Sequence, residues 1–446
     1  MPRPLTFGLV ALALAFGLLS PHPAPLQAAD DNPGQSRRVT FREYLEAVAT
    51  YSLDLKSQRQ NITSAQADIS IAGVRPDPEL RFGIDSAELY EPNKPNASLA
   101  TVIELGYTLE TAGKRDKRIQ VAESKLRLAE ANVAAFLHQL GLDSASAFIE
   151  ACRTRDALAR KQSSLQSFQE LVRATEIRYR AGDVSKLELW QTNVEADRFT
   201  NEVTSARAEA QAAEITLTAF LGKPFEEVFP GAVVDTAFKG AALEVNLATL
   251  IQQALKKRYD IQVAAAEVEN ARQGVQLAKA NRWLDPKINL SLTNTPRVDP
   301  LFNHEGQVTN APAERSLELG LTVTVPLPFS RLQKGELVQA EVALSQAHYR
   351  LSSMRLKAET EVRATFAKYR AACENVRHYR EHVLQDSDRV TEGMRLAYRM
   401  GSASFLELLN AQRTADETYL GYLQAVADLA NATVKLQISA GMGPDL

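Results

Sequence analysis

His378 and His382 stand four residues apart, with Glu374 and Glu381 close by in sequence. On a helix that spacing puts both rings on one face, where they could ligate a metal ion. Protein zinc sites ordinarily use three or four ligands, and the spacing assures no third, so no metal site is assigned from sequence. Tyr379, not Glu, follows His378, so the pair is not the HExxH of a zinc protease. His138, His304 and His348 share no useful spacing. No nucleophile elbow, phosphate-binding loop, dinucleotide fingerprint or CxxC pair is found. The chain therefore reads as a non-enzyme without a cofactor. Cys152 and Cys373 both fall in helical stretches; they read as small buried thiols, with a disulfide left open.

Two other acidic residues gain interest from where they recur. Tyr179 to Leu189 reads YRAGDVSKLEL and Tyr398 to Leu408 reads YRMGSASFLEL, with seven of eleven positions identical. Glu188 and Glu407 hold the same place in the two copies. A long stretch poor in Gly and Pro flanks each copy on both sides, so each reads as a helix–turn–helix with Gly182 or Gly401 at the bend. Gly is expected there because a tight helix end uses a left-handed residue.

The elements carrying these turns are also duplicated. Residues 40–74 read as a helix capped by Thr40 with Glu43 three residues on, stopped by Pro76 and Pro78. Leu80, Phe82 and Ile84 then alternate with polar residues, and after a Pro- and Asn-rich loop (86–97) Leu99, Thr101, Ile103, Leu105, Tyr107 and Leu109 alternate again. This is the period of two-faced strands. Residues 114–181 contain one Gly, Gly141, and no Pro, predicting a helix of about 100 Å at 1.5 Å per residue. A second helix is expected over 185–221, and 224–246 reads as irregular. The second half replays this order: helix 247–281, strands from Ile288 and Leu317 flanking a loop at 294–313, a long helix 332–400 and a helix 404–440. The repeats span about 40–223 and 247–441.

Composition narrows the setting. With 51 basic and 54 acidic residues, net charge −3 and no basic patch, nucleic acid is not a partner. Residues 1–29 read as a cleaved secretory signal: Arg3, an apolar run from Phe7 to Leu19, then small residues at Ala28 and Ala29. No other segment is apolar enough to span a membrane as a helix, so a membrane form must be a β-barrel. Four strands cannot close alone, since such barrels begin at eight. The chain must then oligomerise, with eight strands from a dimer or twelve from a trimer; the alternative is a small soluble sheet packed on its apolar face by helices.

In order, the paired Y-R-x-G-x-x-S-x-L-E-L turns, the Pro stops beside the strands, TLETAGKR (Thr108 to Arg115) and VPLPF (Val325 to Phe329) resemble the TolC-type outer-membrane efflux proteins over the whole mature chain. The resemblance implies an α+β membrane protein: a homotrimer whose chains each supply four strands to a twelve-stranded barrel in outer-membrane lipid, continued by a long periplasmic α-helical barrel. It implies a passive exit duct of a tripartite efflux system, with a periplasmic adaptor (membrane fusion protein) and an inner-membrane pump of the RND type as partners. The adaptor-docking turns would be Tyr179, Arg180, Gly182, Ser185 and Leu187 with Tyr398, Arg399, Gly401, Ser404 and Leu406. The constriction would use Glu188 and Glu407 with Asp183; where a further acid can follow, this chain has Asn410, and Gln191 in the first repeat. TLETAGKR is similar to the heavy-metal branch, implying export of metal cations. Drug efflux and type I protein secretion are alternatives on the same fold, and a pore-less periplasmic coiled-coil adaptor or scaffold is the rival of another class.

Overall fold

The computed structural model describes residues 37–87, 99–236, 246–297, 299–300, 302–308, 314–327 and 334–444. The signal reading, most of the loop at 86–97 and the first residues of the second long helix lie outside them. Chain order is β1 (Arg38–Val39), α1 (Phe41–Tyr51), α2 (Leu53–Ala72), β2 (Glu79–Ala87), β3 (Leu99–Thr108), α3 (Lys114–Ala181) and α4 (Lys186–Leu221). A short α5 (Phe225–Val228) and β4 (Val233–Val234) follow. The order then repeats as α6 (Leu247–Lys257), α7 (Tyr259–Asn281), β5 (Lys287–Thr295), β6 (Ser316–Thr324), α8 (Lys334–His378), a π-helical turn (Tyr379–Val383), α9 (Leu384–Arg399) and α10 (Phe405–Ser439).

Two corrections concern the helices before each hairpin. The expected single helices 40–74 and 247–281 are each broken, at Ser52 (ψ 124°) and Arg258 (ψ 131°). The first segment of each pair must lie on a compact core, whereas the second runs alongside a long helix toward the sheet. Thr40 and Glu43 form the expected capping box, and α1 buries Phe41, Tyr44 and Val48 on one face. Just past the break at Ser52, Leu53 packs closely on Gly222, where a Cβ would lie 2.9 Å from Leu53 Cγ. Arg258 ties its break down by donating to Asp260 and Glu361 at 2.6 and 2.8 Å and to the Ser439 carbonyl at 3.2 Å.

The segment expected to be irregular, 224–246, is a third correction. Within it α5 packs against α4, and β4 pairs in parallel with β1, Val39 opposite Val234. These residues, the middle of α3 and the ends of α4 and α10 build the main core around Phe148, which is fully buried against Phe41 and Tyr44 with ring centres 5.6 and 5.3 Å away. The equivalent core of the second repeat joins Leu250 and Ala254 of α6 to Val362 and Tyr369 of α8 and Leu436 of α10.

The four long strands form one antiparallel sheet in the order β2-β3-β5-β6, so the two hairpins join through β3 and β5, with Ile103 opposite Leu292 and Leu105 opposite Leu290. Alternation puts Leu80, Phe82, Ile84, Ile103, Leu105, Leu290, Leu319 and Leu321 on one face, all exposed, Leu319 at 73%. The opposite face carries the Arg81–Glu104 ion pair and Ser291, and its glycines seat polar neighbours: a Cβ on Gly320 would meet Ser291 Oγ at 2.6 Å. No helix among the described residues is long and apolar enough to cross a membrane.

TLETAGKR forms the joint between sheet and helices. Ala112 and Gly113 turn the chain with φ of 55° and 64°. Lys114 Nζ then donates to Asp285 Oδ2 at 2.5 Å and to the Trp283 carbonyl at 2.7 Å, and the Thr111 N–H donates to Asp285 Oδ1 at 2.8 Å. Arg115 donates to the Gly73 carbonyl, and Arg118, paired with Glu110, donates to the carbonyls of Ala72 and Val74. The start of α3 thus supplies the free carbonyls at the end of α2 with donors and cations, which helix C-termini favour.

Phe148→Ala should destabilise the folded protein by about 3–5 kcal/mol, the usual cost of deleting a buried ring, read by denaturant unfolding. Leu319→Arg should cost about 2–4 kcal/mol for folding into a bilayer, whereas Ser291→Arg, on the polar face, should cost less.

Candidate functional site

The two repeated turns and the helices beside them share a local core of Phe168, Phe199, Tyr398, Phe405, Leu408 and Leu409. Phe168 and Phe199 stack at 4.3 Å. Both bends use Gly as expected, Gly182 with φ 85° and Gly401 with φ 73°, each followed by a backbone bond to the helix it leaves: Asp183 N to Arg178 O and Ser402 N to Ala397 O, both 2.9 Å. Ser185 and Ser404 cap the returning helices α4 and α10.

The two equivalent glutamates part company at this point. Glu407 folds back and completes a capping box, accepting from Ser404 N at 2.7 Å and Ser404 Oγ at 2.9 Å. Those donors hold its carboxyl below the ordinary carboxylate range. Glu188 leaves its own cap and accepts a 2.9 Å hydrogen bond from Tyr398 Oη, crossing from the first repeat to the second. Tyr398 is buried, burial and the neighbouring carboxylate both raising its pKa, and the Arg178 guanidinium lies over its ring at 5.2 Å. Tyr179, its counterpart in the first repeat, is 38% exposed.

Of the other residues singled out from sequence, Arg180, Asp183, Gln191, Arg399 and Asn410 are exposed. Leu187 and Leu406 are exposed at 61% and 62%. They border an apolar groove of about 360 Å³ between α4 and α10 with Trp190, Val194 and Phe405, and Lys186 lies over Trp190. A second cavity of about 440 Å³ opens beside Arg178, Arg395, Tyr398 and Arg399.

Sequence reasoning missed the polar ties around the turns, two sets between the repeats and one within the second. Arg413 of α10 pairs with Glu195 of α4; Arg160 and Ser164 of α3 both donate to Asp416 at 2.9 and 2.7 Å; Arg395 donates to Gln412 at 3.0 Å. Only spatial pairing reveals them, since partners lie more than 200 positions apart for all but the last. His378 and His382 lie elsewhere, at the π-helical turn, and no group of three metal-ligating side chains occurs among the described residues. Cys152 and Cys373 are free thiols, the first buried and the second half-buried.

Two similar halves, each a hairpin apolar on one face followed by a very long helix, a glycine turn and a returning helix, are the architecture of a membrane channel protein. The family model described as outer membrane efflux protein matches residues 45–223 and 250–442, one block per repeat, and the chain belongs to that family. It is therefore a channel protein of the outer membrane with periplasmic helices, and not an enzyme. The chain is 21% identical to the cobalt-zinc-cadmium resistance protein CzcC of Cupriavidus metallidurans, over 89% of each chain. It is 22% identical to the pyoverdine export outer membrane protein OpmQ of Pseudomonas aeruginosa, over 97% of this chain and 94% of the relative. Among solved structures it superposes on CusC with a TM-score of 0.72 at 17% identity (90% and 92% covered) and on the Campylobacter jejuni CmeC outer membrane channel with 0.71 at 14% (91% and 86%).

A carboxylate with a lowered folded-state pKa stabilises the fold above its unfolded pKa, and that stabilisation is lost as pH falls through the lowered value. Protection of the amides in the first turn of α10, relative to their intrinsic exchange, should therefore fall as pH drops below the ordinary glutamate value of about 4.3. Glu407→Gln, which keeps an acceptor but cannot titrate, should flatten that pH dependence.

Proposed function

We propose that this chain is the outer-membrane exit duct of a tripartite efflux system. Three copies close a twelve-stranded barrel and a helical tunnel, and a periplasmic adaptor and an RND-type inner-membrane pump load it. The observation that carries this reading is the four-stranded sheet: one face is exposed and apolar, both outer edges are unpaired among the described residues, and the strands are nine or ten residues long. That length suits a tilted bilayer crossing. Water-filled barrels need more strands than one chain holds. The rival pore-less adaptor has no use for such a sheet.

The turns are the gate in this reading. Closure draws on the Glu188–Tyr398 bond and the Glu195–Arg413 pair, which fasten the first repeat's returning helix to the second repeat. Opening requires an adaptor to replace them, seated on the exposed Leu187, Trp190 and Leu406 and on the rest of the two turns. Glu188 and Glu407, with Asp183 and beside Asn410, give the constriction its negative charge, and carboxylate rings favour cations.

Metal cations are the proposed cargo, supported by the similarity to the cobalt-zinc-cadmium resistance protein. The near-full-length match to a pyoverdine exporter supports a second reading, export of a small organic molecule.

Reconstituted in a planar bilayer, the protein should conduct ions and prefer cations. Glu188→Ala with Glu407→Ala should lower that preference and weaken block by multivalent cations; unchanged values would remove these residues from the constriction. Tyr398→Phe should raise the open fraction. A strain lacking the gene should lose tolerance to Co²⁺, Zn²⁺ or Cd²⁺, and unaltered metal tolerance with altered siderophore or drug export would select the second reading.

A further inference from the structure

The second long helix carries one irregularity. Between α8 and α9 the five residues Tyr379–Val383 form a π-helical turn, whereas α3, its counterpart, runs 68 residues as an uninterrupted α-helix. Such bulges are rare and recur at functional sites. The turn is anchored on its inner side by α10. The Tyr379 hydroxyl comes within 2.9 Å of where a Cβ on Gly421 would stand, and Arg380 Nε donates to Tyr422 Oη at 3.1 Å. On its outer side the turn presents His378 and His382, both exposed, with ring centres 5.4 Å apart and planes at 52°.

Neither histidine hydrogen-bonds another group among the described residues, so their ring nitrogens are available. With metal–nitrogen bonds of about 2.0–2.1 Å, two imidazoles on one ion place their ring centres roughly 5 Å apart, close to the spacing found. The neighbouring charges nearly offset one another. Glu374 and Glu381 are exposed and favour a cation, with Arg370 3.9 Å from Glu374; Arg377 opposes it, and Arg380 is drawn away to Tyr422. From α10 the facing groups are the phenols Tyr419 and Tyr422.

We propose that His378 and His382 bind one late first-row transition-metal ion, with Cu²⁺ held most tightly and Ni²⁺ and Zn²⁺ more weakly. Imidazole suits all three, and divalent affinity peaks at copper. Two protein ligands leave the remaining positions to water, so the ion exchanges readily and is held without being buried. The site goes beyond the duct reading and is independent of it, because it is measured as binding to the purified chain whatever that chain exports.

The test uses the intact detergent-solubilised protein, stripped with chelator and titrated with Cu²⁺ alone by calorimetry, with nitrogen couplings read by electron paramagnetic resonance. One Cu²⁺ per chain is expected, with signatures of two imidazole nitrogens. Affinity should fall at least tenfold in His378→Ala and in His382→Ala, and stay unchanged in His348→Ala, an exposed histidine on α8. Equal affinity in the double variant and the unmutated protein would overturn the site, as would no binding to either. A second measurement needs no variant: Cu²⁺ should protect His378 and His382, but not His348, from diethyl pyrocarbonate. Equal modification with and without Cu²⁺ would likewise overturn it.

Discussion

In hydrocarbon a backbone N–H or C=O without a partner costs several kcal/mol, because no water is there to replace it. The outer edges of β2 and β6 present a whole row of such groups. Everything else about the chain accommodates that row. In the proposed duct, a four-stranded sheet with leucines and phenylalanine exposed on one face is complete only when other edges meet its own. The very long helices follow the same logic. They bury compact cores only in the middle and at the turns, and elsewhere leave side chains such as Ile177, Val338 and Leu356 exposed in the single chain.

The joint between sheet and helices fixes how the two geometries meet. Period-two strands and period-3.6 helices share no natural register, and the chain passes between them in the few residues of TLETAGKR. Its polar side chains are committed to the framework: Thr111 and Lys114 to Asp285 and its neighbours, Glu110 to Arg118, Arg115 to the end of α2. A segment so occupied has little left with which to recognise cargo. Its likeness to a metal-exporting branch therefore speaks to a shared architecture, and cargo preference must be sought at the turns or in the lumen.

How much of this was legible depended on the range of each interaction. Alternation placed all four strands to within a few residues, and the lack of Pro between 114 and 181 foretold α3 to its observed ends. Gly182 and Gly401 announced their turns because positive φ has a residue signature. The breaks at Ser52 and Arg258 did not, since both sit inside good helical periodicity and are met by Gly222 and by Glu361 from distant parts of the chain. The two-residue strands β1 and β4 are too short to show any period. The Glu188–Tyr398 bond was invisible for a further reason: Tyr and Glu recur in both copies, and which tyrosine is buried depends on Phe168 and Phe199 outside the motif as well as on Phe405 within it.

That bond has a bearing on duplication itself. Glu188 and Glu407 keep the same residue type, neighbours and position on the returning helix, yet one fastens two repeats together and the other merely finishes its own helix. The divergence lies in a side-chain rotamer and in which tyrosine the surrounding core encloses; its trace in the motif stands away from the glutamate, where Phe405 of the second copy packs with Tyr398 and the first copy has Lys186. Two copies of a gene segment can divide their labour before either changes its key residue, through changes at the positions around it.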